Sequence, residues 1–254
     1  MLQDLPVWLA HFRSQSAHPR QVPATLDDTL TLRERRLIAA SIAAFQLGES
    51  SDGAQLRRAV RRHCQSRDTT LLEIFDLFIA EEQRHASLLG QFMQDHEIAL
   101  REHAVTDGAL RALRRLGGLE ARLRMQVTAE IIGIVYYRAL EVVTDCRRLQ
   151  ILCRILVADE LAHVAFQSQL LLASRNGRAG LARLLTGVWE QCILTGAALV
   201  VWATHRRVLK SAGYGPALFL RDCRSQHAFY LKWPAAPRGG RQRREHRPLS
   251  PHGT

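Results

Sequence analysis

Two Glu-x-x-His pairs, Glu82-x-x-His85 and Glu160-x-x-His163, constrain this chain more than any other feature of it. Residues three apart on a helix lie on one face, so each pair aims a carboxylate and an imidazole at the same point. One such pair is short enough to arise by chance. The positions of two further glutamates remove that reading. Thr144-Asp145 marks a turn between two long apolar segments; Glu130 lies fifteen residues before Asp145 and Glu160 fifteen after it. At a rise of about 1.5 Å per residue, both sit roughly 22 Å from the turn. In an antiparallel helix pair they face each other at one height. The first half repeats the arrangement, because the midpoint of Glu49 and Glu82 falls at Gln65–Ser66, beside the break Ser66-Arg67-Asp68-Thr69-Thr70. Two helix hairpins each place a glutamate opposite a Glu-x-x-His.

Four glutamates on inward helix faces are costly to bury alone. Two divalent cations would neutralise them. A metal-free helical binding module leaves those four charges unexplained. Acidic residues also precede each motif glutamate, Glu81 and Asp159. A metal-bound imidazole usually donates its remaining N–H to a carboxylate. Asp159 is therefore expected to orient His85 across the bundle, and Glu81 to orient His163. The bland alternative for both is a solvated acid at a helix edge.

The periodicity predicts an all-α chain: a four-helix bundle of two antiparallel hairpins joined by a crossover, with further helices after it. Residues 1–28 read as an N-terminal extension with a short helix and a loop. The bundle covers 29–174, with helices at about 29–65, 69–96, 119–143 and 146–174. Ser50-Ser51-Asp52-Gly53 is a weak point in the first of them. Residues 97–117 form the crossover, with a short helix at 108–116, and Asn176-Gly177 stops the fourth helix. Residues 175–232 hold accessory helices, one at about 178–211 and one at about 216–230. The first of these is very apolar from Gly187 to Ala203, but short for a membrane span, and it contains Glu190. It is read as packed on the bundle, with no membrane span. Residues 233–254 are a basic tail without apolar periodicity, expected to be disordered.

The formal net charge is +11, which raises a nucleic-acid partner. Only Lys210 and Lys232 are lysines among 35 basic residues, and the arginines alternate with apolar positions as solvated helix faces do. No nucleic-acid partner is expected. The chain opens without a charged start leading into an apolar run, so no secretory signal is read. Five cysteines without a Cys-x-x-Cys point to reduced thiols and a cytoplasmic setting. Cys153, at heptad spacing from Cys146 and Glu160, is read as a small buried hydrophobe.

At these residues the sequence resembles the ferritin-like di-iron carboxylate superfamily. Ala80-Glu81-Glu82-Gln83-Arg84-His85-Ala86 looks like the first iron-binding motif of the soluble acyl-carrier-protein desaturases. Asp159-Glu160-x-x-His163 looks like the second motif, shared with bacterial hydroxylase components and rubrerythrins. The resemblance covers about 30–174. It implies six metal ligands: Glu82 and Glu160 bridging, Glu49 and Glu130 terminal, with His85 and His163. It implies two iron ions, or a manganese–iron pair. Gly133 stands where the desaturases carry a threonine, and Leu156 where the arylamine N-oxygenases carry an extra histidine, so the subfamily stays open.

What the resemblance implies for function is an oxidoreductase that activates O2 to hydroxylate, desaturate or N-oxygenate an organic substrate, small or carrier-bound. An electron-donor protein would serve it, and a homodimer stays open. The alternative is a ferroxidase or peroxide scavenger; about eighty residues after the fourth helix and the absence of a Cys-rich module weigh against it. Phe45, Phe78, Ile79, Gln126, Ile134, Tyr137 and Leu156 are expected to line the pocket. Tyr137 is read as a core tyrosine with a paired hydroxyl, with donation to the site as its other role. His205 is read as a helix-end histidine rather than a seventh ligand.

Overall fold

The computed structural model describes residues 4–23, 29–51, 53–64, 69–101, 118–175 and 180–232. The described residues are all-helical. In chain order the helices are α1 (Leu5–Ala17), α2 (Leu32–Glu49), α3 (Ala54–His63), α4 (Thr69–Asp95), α5 (Leu119–Val142), α6 (Arg147–Arg175), α7 (Gly180–Thr204), α8 (Arg206–Ser211) and α9 (Pro216–Lys232). The crossover helix expected at 108–116, the stop at Asn176-Gly177 and the tail after Lys232 lie outside the described residues.

The hairpin of α5 and α6 is the most extensively packed pair in the molecule. Its turn is held by Thr144: Cys146 N donates to Thr144 Oγ1 at 3.1 Å, and Gln150 Nε2 donates to Thr144 O at 2.7 Å. The start of α2 is tied to this same turn. Thr31 and Glu34 form a capping box, with Thr31 N donating to Glu34 Oε2 at 2.9 Å and Glu34 N donating to Thr31 Oγ1 at 3.2 Å. The other oxygen of Glu34 accepts from Asp145 N at 2.7 Å and from Thr144 Oγ1 at 3.1 Å. Partial burial works against ionisation of Glu34, but these donors prevail and hold its carboxyl below the usual range. One side chain thus sets the height of α2, and with it Glu49, against the hairpin carrying Glu130 and Glu160.

The helix expected at 29–65 is two helices. Between them Gly53 adopts φ +64°, a left-handed conformation that favours glycine. A Cβ there would lie 2.5 Å from Ile79 Cγ2, so a side chain at the bend would press on α4. The helix expected at 178–211 is also broken, at His205, between α7 and α8.

The core is one cluster of buried side chains to which each of the helices α1 to α9 contributes. α1 closes it against α4. Trp8 and Phe12 are buried, and Trp8 Nε1 donates to Gln169 Oε1 of α6 at 2.6 Å. On the opposite flank, α7 is joined to α5 by Arg124, which pairs with both Glu190 and Glu120. Among the described residues α7 alone is long and apolar enough to cross a membrane, a test that core helices also pass. Leu194 and Ala198 are buried, whereas Leu181, Leu184, Leu185 and Val188 are exposed.

Candidate metal centre

α2, α4, α5 and α6 bring Glu49, Glu82, His85, Glu130, Glu160 and His163 into one cluster. Glu49, Glu82, His85 and Glu160 each offer a ligand atom within 4.8 Å of the others, and so do Glu82, Glu130, Glu160 and His163. The two groups share Glu82 and Glu160. Each therefore holds three carboxylates and one imidazole, the donor mixture that suits iron or manganese.

Each imidazole has one nitrogen inside the cluster and one outside. His163 Nδ1 lies 2.9 Å from Glu82 Oε1 and 3.5 Å from Glu160 Oε2. His85 Nδ1 lies 3.3 Å from Glu160 Oε1. The inward atoms His85 Nδ1, His163 Nδ1, Glu82 Oε1, Glu130 Oε2 and Glu160 Oε2 are buried and make no hydrogen bond of adequate angle. Buried polar atoms are normally satisfied, so five in one place call for a partner. Each of the two donor groups could therefore hold a metal ion.

The outward nitrogens meet carboxylates. His85 Nε2 lies 3.2 Å from Asp159 Oδ2, and His163 Nε2 lies 3.1 Å from Glu81 Oε2. Asp159 also accepts from Arg84 at 2.5 Å and from Arg20. Burial pushes its carboxyl up, but His85 and the two guanidinium groups prevail and hold it down at about 2. Glu81, His85 and Asp159 form a third close acidic group. Its charge is already met by Arg84 and Arg20, so it is the support of the cluster rather than a further cation site. Phe78, with its centroid 4.5 Å away, and Phe12, at 5.9 Å, fix the ring of His163.

Without a cation, the cluster favours bound protons. Burial, then Glu82 and Glu160, pushes Glu49 up to about 8. Burial and Glu160 push Glu130 well above the carboxylate range. Burial opposes a charged His85, but Asp159, Glu160 and Glu82 prevail and push it up to about 10. His163 is raised for the same reasons by Glu160, Glu81 and Glu82. Raised values at Glu49, Glu130, His85 and His163 favour protons inside the cluster, which bound cations would displace.

A cavity of about 300 Å³ opens on the cluster. Glu49, Glu82, Glu130 and Glu160 face it, as do Phe45, Phe78, Ile79 and Gln126. Ile134, Tyr137 and Leu156, expected in its wall, belong to the core instead. The α5 wall runs through Arg122, Gln126, Ala129, Glu130 and Gly133, and Ile134 is turned about 100° from Gly133 on a helix of 3.6 residues per turn. Tyr137 is fully buried and donates from its hydroxyl to Glu49 Oε1 at 2.6 Å. His205 borders the cavity from the α7–α8 break and shares a hydrogen bond of 2.8 Å with Ser41 Oγ. Burial, with the charge of Arg101, lowers it to about 4, so it is a neutral imidazole.

No family model matches the chain, and comparison with curated proteins and with solved structures finds no significant match. The site therefore rests on its own geometry.

Several neighbours of the cluster escape sequence reasoning. Gln167 Nε2 donates to Glu130 Oε1 at 2.6 Å. It lies four residues after His163, on the same helix face, so its spacing carried the signal. Arg20, Trp8 and Phe12 carry none, because they precede the bundle and reach it only through the docking of α1.

Proposed function

We propose that the cluster holds two iron ions, or a manganese–iron pair, within a ferritin-like four-helix bundle. On this reading the protein is a non-haem di-iron oxidoreductase that uses O2 to hydroxylate, desaturate or N-oxygenate an organic substrate. The observation that carries it is the overlap of two four-residue donor groups through Glu82 and Glu160. Two independent cation sites would not share both central carboxylates.

The bound metals would supply the redox chemistry that couples reduction of O2 to oxidation of the substrate. The remaining work falls to the chain. Glu82 and Glu160 would hold both ions, and Glu49 and Glu130 one each. Asp159 and Glu81 take the outward N–H of each imidazole and so keep Nδ1 turned inward. Gln167 steers Glu130. The hydroxyl of Tyr137 steers Glu49 and holds a proton beside it. Apolar residues in the cavity wall, among them Phe45, Phe78 and Ile79, offer a face on which an organic substrate would lie. That cavity is what favours an oxygenase over an iron-handling protein. An electron-donor protein would be required for repeated turnover.

The test is anaerobic loading with ferrous iron, then exposure to oxygen with a panel of organic substrates. Two irons per folded chain, and oxygen uptake that matches product formed, are expected. Folded protein that takes up fewer than one iron per chain overturns the reading. Two irons with oxygen uptake but iron oxide as the only product transfers the protein to the iron-handling class.

A further inference from the structure

His205 is a polar group in the cavity wall that the proposed metal chemistry does not use. It lines the cavity with Phe45 and Val201, at the break between α7 and α8. It is 8% exposed. Its Nδ1 lies 2.8 Å from Ser41 Oγ, and Ser41 Oγ lies 2.8 Å from the hydroxyl of Tyr136. Its Nε2 makes no hydrogen bond among the described residues, yet it is not enclosed as the inward nitrogens of His85 and His163 are. That nitrogen therefore opens on the cavity.

The three groups can order their protons in one way without leaving a core donor unmade. Tyr136 is fully buried, and its hydroxyl meets no acceptor but Ser41 among the described residues. Burial pushes that hydroxyl up, so it keeps its proton. If His205 donated through Nδ1, the hydroxyl of either Ser41 or Tyr136 would have no acceptor, and a buried donor left unmade is costly. With Tyr136 donating to Ser41 and Ser41 donating to Nδ1, every core donor is satisfied. Burial, with the charge of Arg101, keeps the ring neutral, so its one proton sits on Nε2. A neutral imidazole N–H then faces the cavity. Thr128 and Thr204, also in the wall, commit their hydroxyl protons to the carbonyls of Arg124 and Val200 at 2.9 and 2.8 Å.

Resting on the proposed di-metal reading for what lies at its other end, we propose that the cavity binds an uncharged, largely apolar ketone whose carbonyl oxygen accepts from His205 Nε2. A carbonyl oxygen only accepts, and it matches a lone N–H without bringing a charge into the cavity. An ammonium group finds no acceptor on that nitrogen. A carboxylate would exchange its hydration for one neutral donor. Ser41, Phe45 and Glu49 succeed one another at intervals of four residues along α2. Ser41 and Glu49 therefore stand roughly 12 Å apart along the helix. A ligand held at His205 extends past Phe45 toward the height of the metal ligands. Phe45 is itself fixed, stacked on Tyr136 with ring centroids 3.5 Å apart. A volume of about 300 Å³ suits a ligand the size of an aryl-alkyl ketone.

The experiment is infrared difference spectroscopy of the full-length protein, loaded with zinc so that no turnover occurs. The probe is 4-phenylbutan-2-one, isotope-labelled at the carbonyl. On binding, its carbonyl stretch is expected below its position in hexane, as one N–H donor requires. A stretch at the hexane position overturns the inference, as does failure of the ketone to bind at millimolar concentration. Neither outcome needs a variant to fold. Calorimetric titration then compares the ketone with butylbenzene, its hydrocarbon counterpart. His205→Phe is expected to weaken the ketone by about three- to tenfold, the usual consequence of losing one neutral hydrogen bond. It should return the stretch toward the hexane position and leave butylbenzene binding unchanged. A lowered stretch that persists in His205→Phe places the carbonyl on another group and overturns the inference. Equal weakening of ketone and hydrocarbon makes His205 a wall residue only and also overturns it. Zinc content of the same samples separates the two readings. Two zinc ions per chain with the stretch unmoved sink this inference alone. A lowered stretch that His205→Phe abolishes, in protein that takes up no zinc, sinks the metal centre and leaves the carbonyl site.

Discussion

His85 Nε2 and Asp159 Oδ2 lie 3.2 Å apart across the helix pair α4 and α6, and Asp159 is itself held by Arg20 and Arg84. The carboxylate that orients the imidazole of one Glu-x-x-His is thus the residue immediately before the glutamate of the other. Glu81 repeats the relation toward His163. Each motif supplies the support of its counterpart, so neither is complete until the two helices are packed.

On the proposed di-metal reading, removing that support should loosen the metals without removing a ligand. Asp159→Ala is expected to lower metal affinity by about 10–100-fold, the usual cost of losing a carboxylate behind a ligating histidine. Competition with a chelator of known affinity would measure it. Asp159→Asn should fall between the two, since its carbonyl oxygen still accepts. Unchanged affinity in Asp159→Ala would place the imidazoles under other control.

Shared and terminal glutamates should behave differently. Glu82→Ala and Glu160→Ala each remove a donor from both groups and are expected to abolish binding of both ions. Glu49→Ala and Glu130→Ala remove a donor from one group each and should leave one metal per chain. Cys153→Ala should leave both. Elemental analysis after gel filtration distinguishes these stoichiometries. Two metals retained in either Glu82→Ala or Glu160→Ala would count against their bridging position.

Metal loading should expel protons. His85 is raised to about 10 and Glu49 to about 8, and Glu130 and His163 are raised as well. All four must lose a proton before they can act as ligands. Their folded values lie above their unfolded ones, so the stability they contribute to the metal-free protein is fully present below the ordinary carboxyl and imidazole ranges. It is lost as pH rises through about 8 for Glu49 and about 10 for His85. Apparent metal affinity is therefore expected to rise between pH 6 and 9, while the metal-free fold weakens over the same range. Calorimetry in buffers of different ionisation enthalpy counts the protons released. Affinity that does not change with pH contradicts the protonated cluster.

Gly53 should tolerate no side chain. A Cβ meets both a left-handed backbone, φ +64°, and Ile79 at 2.5 Å. Gly53→Ala is expected to destabilise the fold by about 1–3 kcal/mol, read from the urea midpoint. A midpoint equal to that of the parent would show that the α2–α3 bend relaxes freely.

Much of this site is legible in the sequence. Glu-x-x-His at helical spacing, and glutamates equidistant from the Thr144-Asp145 turn, require only helix geometry, and the structure brings these six side chains together. The helix limits of α4, α5 and α6 were legible for the same reason, being set by long apolar periodicity between turn signals. Where the reading failed, the deciding contact was not local. The break falls at the weak point Ser50-Ser51-Asp52-Gly53, but the packing of Gly53 against Ile79, twenty-six residues away, is not written there. The cavity wall passes through Arg122 and Gly133 rather than Ile134 because of how α5 is rotated against α2 and α7.

The sequence by itself determined which side chains share a helix face and at what height they stand, since both follow from a rise and a period that every helix obeys. Tertiary structure alone decided which nitrogen of each imidazole faces the cluster, which carboxylate supports it, that α1 delivers Arg20 and Phe12 to its edge, and that His205 lines the cavity from the α7–α8 break. Those depend on the rotation and docking of whole helices. They are set by the summed packing of the core, which no single spacing in the chain encodes.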